Sequence, residues 1–508
     1  MQRASLLIVS THLLLLSMGA PGPSCDSARI KCLAGRGLVH DSELDLTEVV
    51  WVGPENRDVF LGSPSVWKDP TGTCYASHDF FGRTTVGDTV QVFADKSGVC
   101  AGPLSSWRYA GNVSGMYWAN LFTIPNVSTH ATHPLFLLGV SSGDLSSTRS
   151  IVISRSTDGG VSWSEPSTLA PASASKSISY HCAPTPTLLA SDGRLYRAFE
   201  SSAGYKDAFM LRTRKPLNAT SNLLVPSAWE LTRALAFDAT SMVPSSWGPS
   251  AWGWQEGNAI ELPDGSIANV LRIDGQNALT HNKAALLRLD PRTLTFEFSQ
   301  MLDFPATSSK FVIRRAPLVG KYYTVSTVVT DEAVRIGYVG ARNHLILASS
   351  DDAVHWQVCW TLLVDDTGLS PVDSARYTGF HYVDFVFDSA DLVYAIRTGY
   401  RGANSYHNAN RLTMKRLADF EKTCARGVAW QSEYSRVGAG WCRPTSGYLS
   451  AGTTADEREC AQRCTEWPTC KGFAMNSTCA LYPVVPNSSS SAGSGASFSC
   501  WRRTALQI

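Results

Sequence analysis

Asp79, Glu256, His381 and Tyr382 are polar positions set beside apolar, strand-like stretches, and each belongs to a short polar cluster. Asp79 lies in His78-Asp79-Phe80-Phe81-Gly82. Glu256 lies in Glu256-Gly257-Asn258, directly after a Trp-rich stretch. His381 and Tyr382 lie in His381-Tyr382-Val383-Asp384. Carboxylates of this kind serve as acid, base or nucleophile in glycoside cleavage. Histidine carries protons near neutral pH, which brings in His78 and His181 as well as His381. Arg272, Arg314 and Arg397 supply guanidinium groups that clamp the carboxylate of an acidic sugar in bidentate fashion. Trp118, Trp247, Trp252 and Trp254 offer flat faces for sugar rings. We therefore take Asp79, Glu256, His381 and Tyr382 as catalytic candidates. His78, His181, Arg272, Arg314, Asp384, Arg397, Trp118 and Trp254 are the substrate-binding candidates. No metal or cofactor is required by this set. Each residue also has a plainer reading, since a buried His or Arg in such a fold is as often a structural hydrogen-bonder.

Positioning such groups on one surface requires a repeated scaffold. Strand-turn-strand units begin at Ser65–Ser77, Asn120–Val140, Pro186–Phe199, Ile260–Arg272, Lys310–Thr327 and Val383–Arg397. They recur every 50 to 70 residues or so, the period of four-stranded blades around an axis. Turn residues mark the hairpins, as in Asp69-Pro70-Thr71-Gly72, Asp192-Gly193 and Asp264-Gly265. Long amphipathic helical patterns are absent. A β-sandwich or a β-helix is the rival architecture.

Ser156-Thr157-Asp158-Gly159-Gly160-Val161-Ser162-Trp163 fits S-x-D-x-G-x-x-W. Ser349-Ser350-Asp351-Asp352-Ala353-Val354-His355-Trp356 keeps the Ser, Asp and Trp of that pattern, with Ala353 in place of Gly. Both stretches resemble the Asp box of the sialidase superfamily. The resemblance implies a six-bladed β-propeller over residues 45–422 and a glycoside hydrolase acting on an exposed, acidic sugar. It assigns the boxes a structural role at the blade periphery. It also implies that Glu256, before "IELPDG", resembles the glutamate supporting a tyrosine nucleophile, that Arg272 and Arg314 resemble two arginines of the carboxylate-binding triad, and that Asp79 resembles the acid/base. In Leu61-Gly62-Ser63-Pro64, Gly62 stands where that family carries the first triad arginine.

Residues 1–22 read as a signal peptide: Arg3, then an apolar stretch from Leu6 to Met18, then Gly19-Ala20. A signal anchor is the alternative. Sequons at Asn112, Asn126, Asn218, Asn476 and Asn487 fit a secreted glycoprotein. Of the 13 cysteines, six run from Cys442 to Cys500, and disulfides are their default state in an oxidising compartment. An odd total leaves one thiol unpaired or bonded to another chain. Glu459-Cys460-Ala461-Gln462-Arg463-Cys464 is helix-like, and Cys470–Met475 and Cys479–Tyr482 read as strands. Spacing alone permits fifteen pairings, or a zinc site. The segment 436–504 resembles a PAN/apple domain, a small disulfide-rich α+β module. That resemblance implies the pairs Cys442–Cys500, Cys460–Cys479 and Cys464–Cys470, and a protein or carbohydrate partner.

The formal net charge of +1 and the lack of a basic run exclude a nucleic-acid footprint. No second apolar run of spanning length follows the first. The expected fold is thus all-β, a sialidase-like propeller plus the small module, in an extracellular protein without a membrane span after signal cleavage. Its expected partner is a glycan or glycoconjugate. Rival functions are a lectin-like adhesive propeller, and a polysaccharide lyase using His181 or His381 with a tyrosine.

Overall fold

The computed structural model describes residues 44, 46–439, apart from 53–57, 83–87, 125–132, 143–147, 174–177, 202–206, 219 and 279. It also describes 450, 457, 460–461, 464, 470, 472–475, 479–482 and 500–501, and backbone alone at 32–38, 428–439, 442–443, 449, 451–453, 478, 488–489, 499 and 502–503. The stretch 1–22 and the sequons at Asn126, Asn476 and Asn487 lie outside the described residues. Asn218 is exposed and Asn112 half-buried. No helix of the described residues is long and apolar enough to cross a membrane.

The chain is mostly strand, and its strands form antiparallel sheets that follow one another in sequence order. Six such sheets occupy the described residues between 47 and 417. The first comprises Phe60–Leu61 and Ser65–Lys68, then Cys74–Phe81, Thr89–Asp95 and Arg108–Ser114. The second runs Met116–Phe122, Leu135–Ser141, Ile151–Ser156, Ser167–Ala170. The third begins with Tyr180–His181 and Leu188–Leu189, the fourth with Gly253–Glu261, the fifth with Val312–Arg315 and the sixth with Gly379–Asp388. Thr47–Val52 joins the sixth sheet beside Arg411–Leu417, so the N-terminal part of the chain completes the last sheet.

Leading strands pack on those of other sheets. Ser65–Lys68 packs against both Met116–Phe122 and Gly379–Asp388, which links the first sheet to the second and the last. Lys310, 1% exposed, donates to the Pro184 carbonyl at 2.9 Å and the Pro64 carbonyl at 3.5 Å. One ammonium, just ahead of the fifth sheet, thus touches the chain leading into the first and third. Burial pushes its pKa down to about 8.

The even-numbered sheets share a different device. Their leading strands carry a β-bulge at Tyr117/Asn120, Gln255/Asn258 and His381/Asp384. Within each bulge one non-glycine residue takes positive φ: Trp118 at 50°, Glu256 at 57° and Tyr382 at 53°. A bulge re-aims a side chain at the cost of local strain. Two residues further on, a buried amide or carboxylate holds the next sheet. Asn120 bonds Thr187. Asn258 accepts from Ile313 N at 3.0 Å and donates to Phe311 O at 3.1 Å. Asp384 accepts from Ser65 Oγ at 2.8 Å and Val66 N at 2.9 Å.

At the rim, the Asp158 carboxylate accepts from Val161 N, Ser162 N and Ser162 Oγ, and Trp163 donates to Gly160 O. The second Ser/Asp/Trp turn uses a different register from the one expected. Ser350, not Ser349, donates to Asp352, and Asp352, not Asp351, accepts from Val354 N and His355 N at 2.8 Å. The turn is one residue shorter than its counterpart, and Ala353 alone, at φ 63°, spans the place of Gly159-Gly160.

Beyond the sixth sheet, helix Phe420–Glu433 is tied to strand Gln357–Val364 by Cys359–Cys424, and Cys74–Cys100 closes a hairpin of the first sheet. Strands Tyr434–Ala439, Ser499–Arg503, Gly472–Met475, Thr478–Tyr482 and Leu449–Thr453 form a separate sheet. Cys460 bonds Cys479 and Cys464 bonds Cys470. Cys500 is disulfide-bonded, while the Cys442 side chain lies outside the described residues. Cys182 is a free, buried thiol.

Two stability measurements check these assignments. Asp352→Ala should cost about 1–3 kcal/mol in denaturant unfolding while Asp351→Ala stays within about 0.5 kcal/mol; equal effects would return the turn to the other register. Asn258→Ala, which strands Ile313 N and Phe311 O, should cost about 2–4 kcal/mol.

Candidate active site

The bulges of the fourth and sixth sheets bring Glu256 and Tyr382 together. Arg272, on the strand paired with Gly253–Glu261, bridges them: its Nη1 donates to Glu256 Oε2 at 2.7 Å and to the Tyr382 hydroxyl at 3.2 Å. The other edge of Arg272 donates to Asp274 at 2.7 Å. Burial opposes charge on Glu256, but Arg272, His181 and the Tyr382 hydroxyl outweigh it and hold the carboxyl below its ordinary pKa. Arg272 is likewise held well above its ordinary value, with burial overcome by Glu256, Tyr382 and Asp274. Tyr382 is raised, by burial first and by Glu256 second, so its phenol keeps its proton.

Two more guanidinium groups flank the Tyr382 ring, Arg342 at 5.4 Å and Arg397 at 5.0 Å from its centre. Arg397 also lies 4.4 Å over the Phe81 ring and donates to His407 O at 2.6 Å. Arg342 donates to Ser308 O at 2.9 Å and meets His381 Nδ1 at 3.0 Å. Arg272 pairs with carboxylates, but neither Arg342 nor Arg397 forms an ion pair with one among the described residues. Both are more than nine-tenths buried. The cluster around Tyr382 therefore holds two buried guanidinium groups without a carboxylate ion pair among the described residues.

Asp79 faces Arg397 from the first sheet. It is 1% exposed and accepts from Trp118 N at 2.9 Å. Burial pushes its pKa up to about 7, against the pull of Trp118 N and Arg397. A carboxyl titrating near neutral pH is suited to general acid/base work. Its position explains Gly62. Gly62 N donates to Asp79 O, and a Cβ at position 62 would lie 1.5 Å from Asp79 Oδ1. The carboxylate fills the volume that any side chain at 62 would need, so no arginine can project from there.

Next to Asp79, the half-buried Trp118 is bracketed by Tyr117, His181 and Arg149, with ring or guanidinium distances of 4.5, 4.6 and 4.9 Å. His181 meets Glu200 at 3.2 Å, and Glu200 accepts from Gly257 N, which steadies the bulge carrying Glu256. Cys182 donates to Trp118 O at 3.3 Å, and burial pushes its thiol pKa up to about 12, far from a nucleophile's range.

Several expected binding residues lie elsewhere. Arg314 pairs with Asp384 at 2.9 Å, and that carboxylate is the clamp between the sixth and first sheets, so neither joins the cluster around Tyr382. Trp254 has no exposed surface and packs edge-on against Phe237. Trp247 and Trp252 pack on each other. His78 lies between Phe80 and Phe93, with burial lowering its pKa to about 4. Trp254 and His78 lie within strands with their side chains buried, which residue type alone does not show. Arg342 is the functional residue that sequence reading missed. It precedes strand His344–Ser350, and only an isolated bridge to Gly379 brings it to the site.

No protein-family model and no curated protein matches the chain. Among solved structures, a Dyadobacter fermentans protein of unknown function aligns with TM-score 0.47 and 13% identity, covering 72% of this chain and 96% of that one. An α-L-arabinanase from Penicillium chrysogenum, complexed with arabinobiose, gives 0.45 and 15%, covering 71% and 94%. A Trypanosoma rangeli sialidase in complex with the inhibitor DANA gives 0.48 and 12%, covering 78% and 63%. With likeness this distant, the chemistry rests on the geometry of this chain.

The Asp79 assignment has a pH signature. A carboxyl whose folded pKa lies above its unfolded value stabilises the fold fully below the unfolded pKa and loses that contribution as pH rises through the folded one. Wild type should therefore lose about 3 kcal/mol relative to Asp79→Asn between about pH 4 and pH 8. Parallel denaturation curves at pH 5 and pH 8 would show it; an unchanged difference would place Asp79 ionised throughout.

Proposed function

We propose that this chain is a secreted glycoside hydrolase acting on an exposed, acidic sugar of a glycan. In this reading residues 1–22 are a signal peptide, 45–422 a six-bladed, sialidase-like propeller, and 436–504 a PAN/apple-like module that binds a protein or carbohydrate partner. The observation that carries the activity is the convergence of Arg272, Arg342 and Arg397 on Tyr382, with Glu256 and Asp79 as the acids beside them. Two uncompensated guanidinium groups favour an anionic group on the substrate. Support for the propeller comes from the consecutive sheets, from Lys310 joining the chain that leads into the first, third and fifth of them, and from the packing of the last sheet on the first.

Within that reading the roles follow from position. The arginines bind the sugar carboxylate. Tyr382 attacks the anomeric carbon while Glu256 takes its proton, an alternative to a carboxylate nucleophile that acidic-sugar hydrolases use. Asp79 protonates the departing oxygen, then deprotonates the incoming water. Trp118 stacks on the sugar or its aglycone.

A cleavage screen on sialosides, uronides, rhamnosides and mixed algal and animal glycans tests this. Turnover on a carboxylate-bearing sugar is expected, reduced at least 10²-fold or so by Asp79→Ala and by Glu256→Ala. Absence of turnover, with glycan binding that survives both substitutions, would instead establish a lectin-like protein.

A further inference from the structure

His381 was a candidate proton carrier by type, yet both of its ring nitrogens are already committed. The residue is 1% exposed. Its Nε2 lies 2.9 Å from the Tyr406 carbonyl oxygen, which can only accept, so Nε2 carries the hydrogen. Its Nδ1 lies 3.0 Å from Arg342 Nη1, which can only donate, so Nδ1 must present its lone pair. The two contacts together fix one tautomer. Burial first, and then Arg342, Arg397 and His407 around the ring, disfavour a second proton.

Arg342 is thus gripped by a backbone carbonyl, Ser308 O, and by a neutral imidazole. It lies over two rings, Tyr382 and Tyr406, at 5.4 and 5.3 Å. A carboxylate in the place of His381 would hold the guanidinium as firmly but would cancel its charge. An uncharged acceptor fixes its direction and leaves the charge intact.

We propose that His381 is a positioning residue, locked as the neutral Nε2–H tautomer, which holds Arg342 over the Tyr382 ring without neutralising it. It neither donates nor accepts a proton in the reaction. This rests on the acidic-sugar reading for what Arg342 binds, but not for the tautomer itself.

The test has two arms on the full secreted chain. In the first, ¹⁵N-histidine labelling resolves the histidine imidazoles, with His381→Gln identifying the signal. His381 should show the Nε2–H pattern and no titration between pH 5 and pH 8. An imidazolium, an Nδ1–H tautomer or a titration in that range would overturn the proposal. In the second, calorimetry measures binding of N-acetylneuraminate and D-glucuronate, with D-glucose as neutral control. His381→Gln keeps an acceptor and a donor and should bind within about threefold of wild type, whereas His381→Glu should bind at least tenfold more weakly. Wild-type affinity in the Glu variant would overturn the charge argument. Should neither acid bind wild type, the acidic-sugar reading fails, and the labelling arm alone decides the state of His381. The same arm decides if the Glu variant does not fold.

Discussion

The packing of the consecutive sheets depends on a cation taken out of water between the chain segments that lead into them. Lys310 has no carboxylate within hydrogen-bonding reach; two proline-borne carbonyls receive its ammonium. Proline carries no N–H of its own, so these carbonyls belong to turns that are free of ladder bonding on that side. The arrangement works only if the chain leading into three alternate sheets arrives at the same point. A buried lysine is costly to desolvate, and that cost makes the meeting point specific: moving either carbonyl away would leave the ammonium short of an acceptor.

The intervening sheets join structure to chemistry through the same few residues. Each bulge turns one side chain toward the pocket and seats an Asn or Asp against the neighbouring sheet two positions later. Trp118 with Asn120, Glu256 with Asn258, and Tyr382 with Asp384 are three versions of one unit. The strained backbone at Glu256 and Tyr382 is held by the clamp that follows it. Site geometry is therefore as rigid as the contacts between sheets, which suits groups that must stay within fractions of an ångström of a productive arrangement.

How much of this was legible in the sequence depended on the kind of signal. Turn chemistry at Asp69–Gly72, Asp192-Gly193 and Asp264-Gly265 located the hairpins, because Asp and Gly act within a few residues of themselves. Polar residues set within apolar strands singled out Asp79, Glu256 and Tyr382, again by a signal carried within a few residues. What stayed hidden was set by distant partners. Arg314 and Arg342 look alike as residues; one meets Asp384 and the other Tyr382 because of how the fifth and sixth sheets pack. The Ser/Asp/Trp turn at 350–356 misled by one position, since two adjacent serines and two adjacent aspartates offer two registers and only the backbone path chooses between them.

The contact between Gly62 and Asp79 also constrains how this chain can change. A Cβ at 62 would meet not only the Asp79 carboxylate but also the backbone carbonyl of residue 79, at 2.8 Å, so shortening the side chain at 79 would not by itself make room there. The first sheet can thus present a carboxyl at this point or shift its backbone, and the guanidinium groups beside Tyr382 stand on other strands, as Arg342 and Arg397 do.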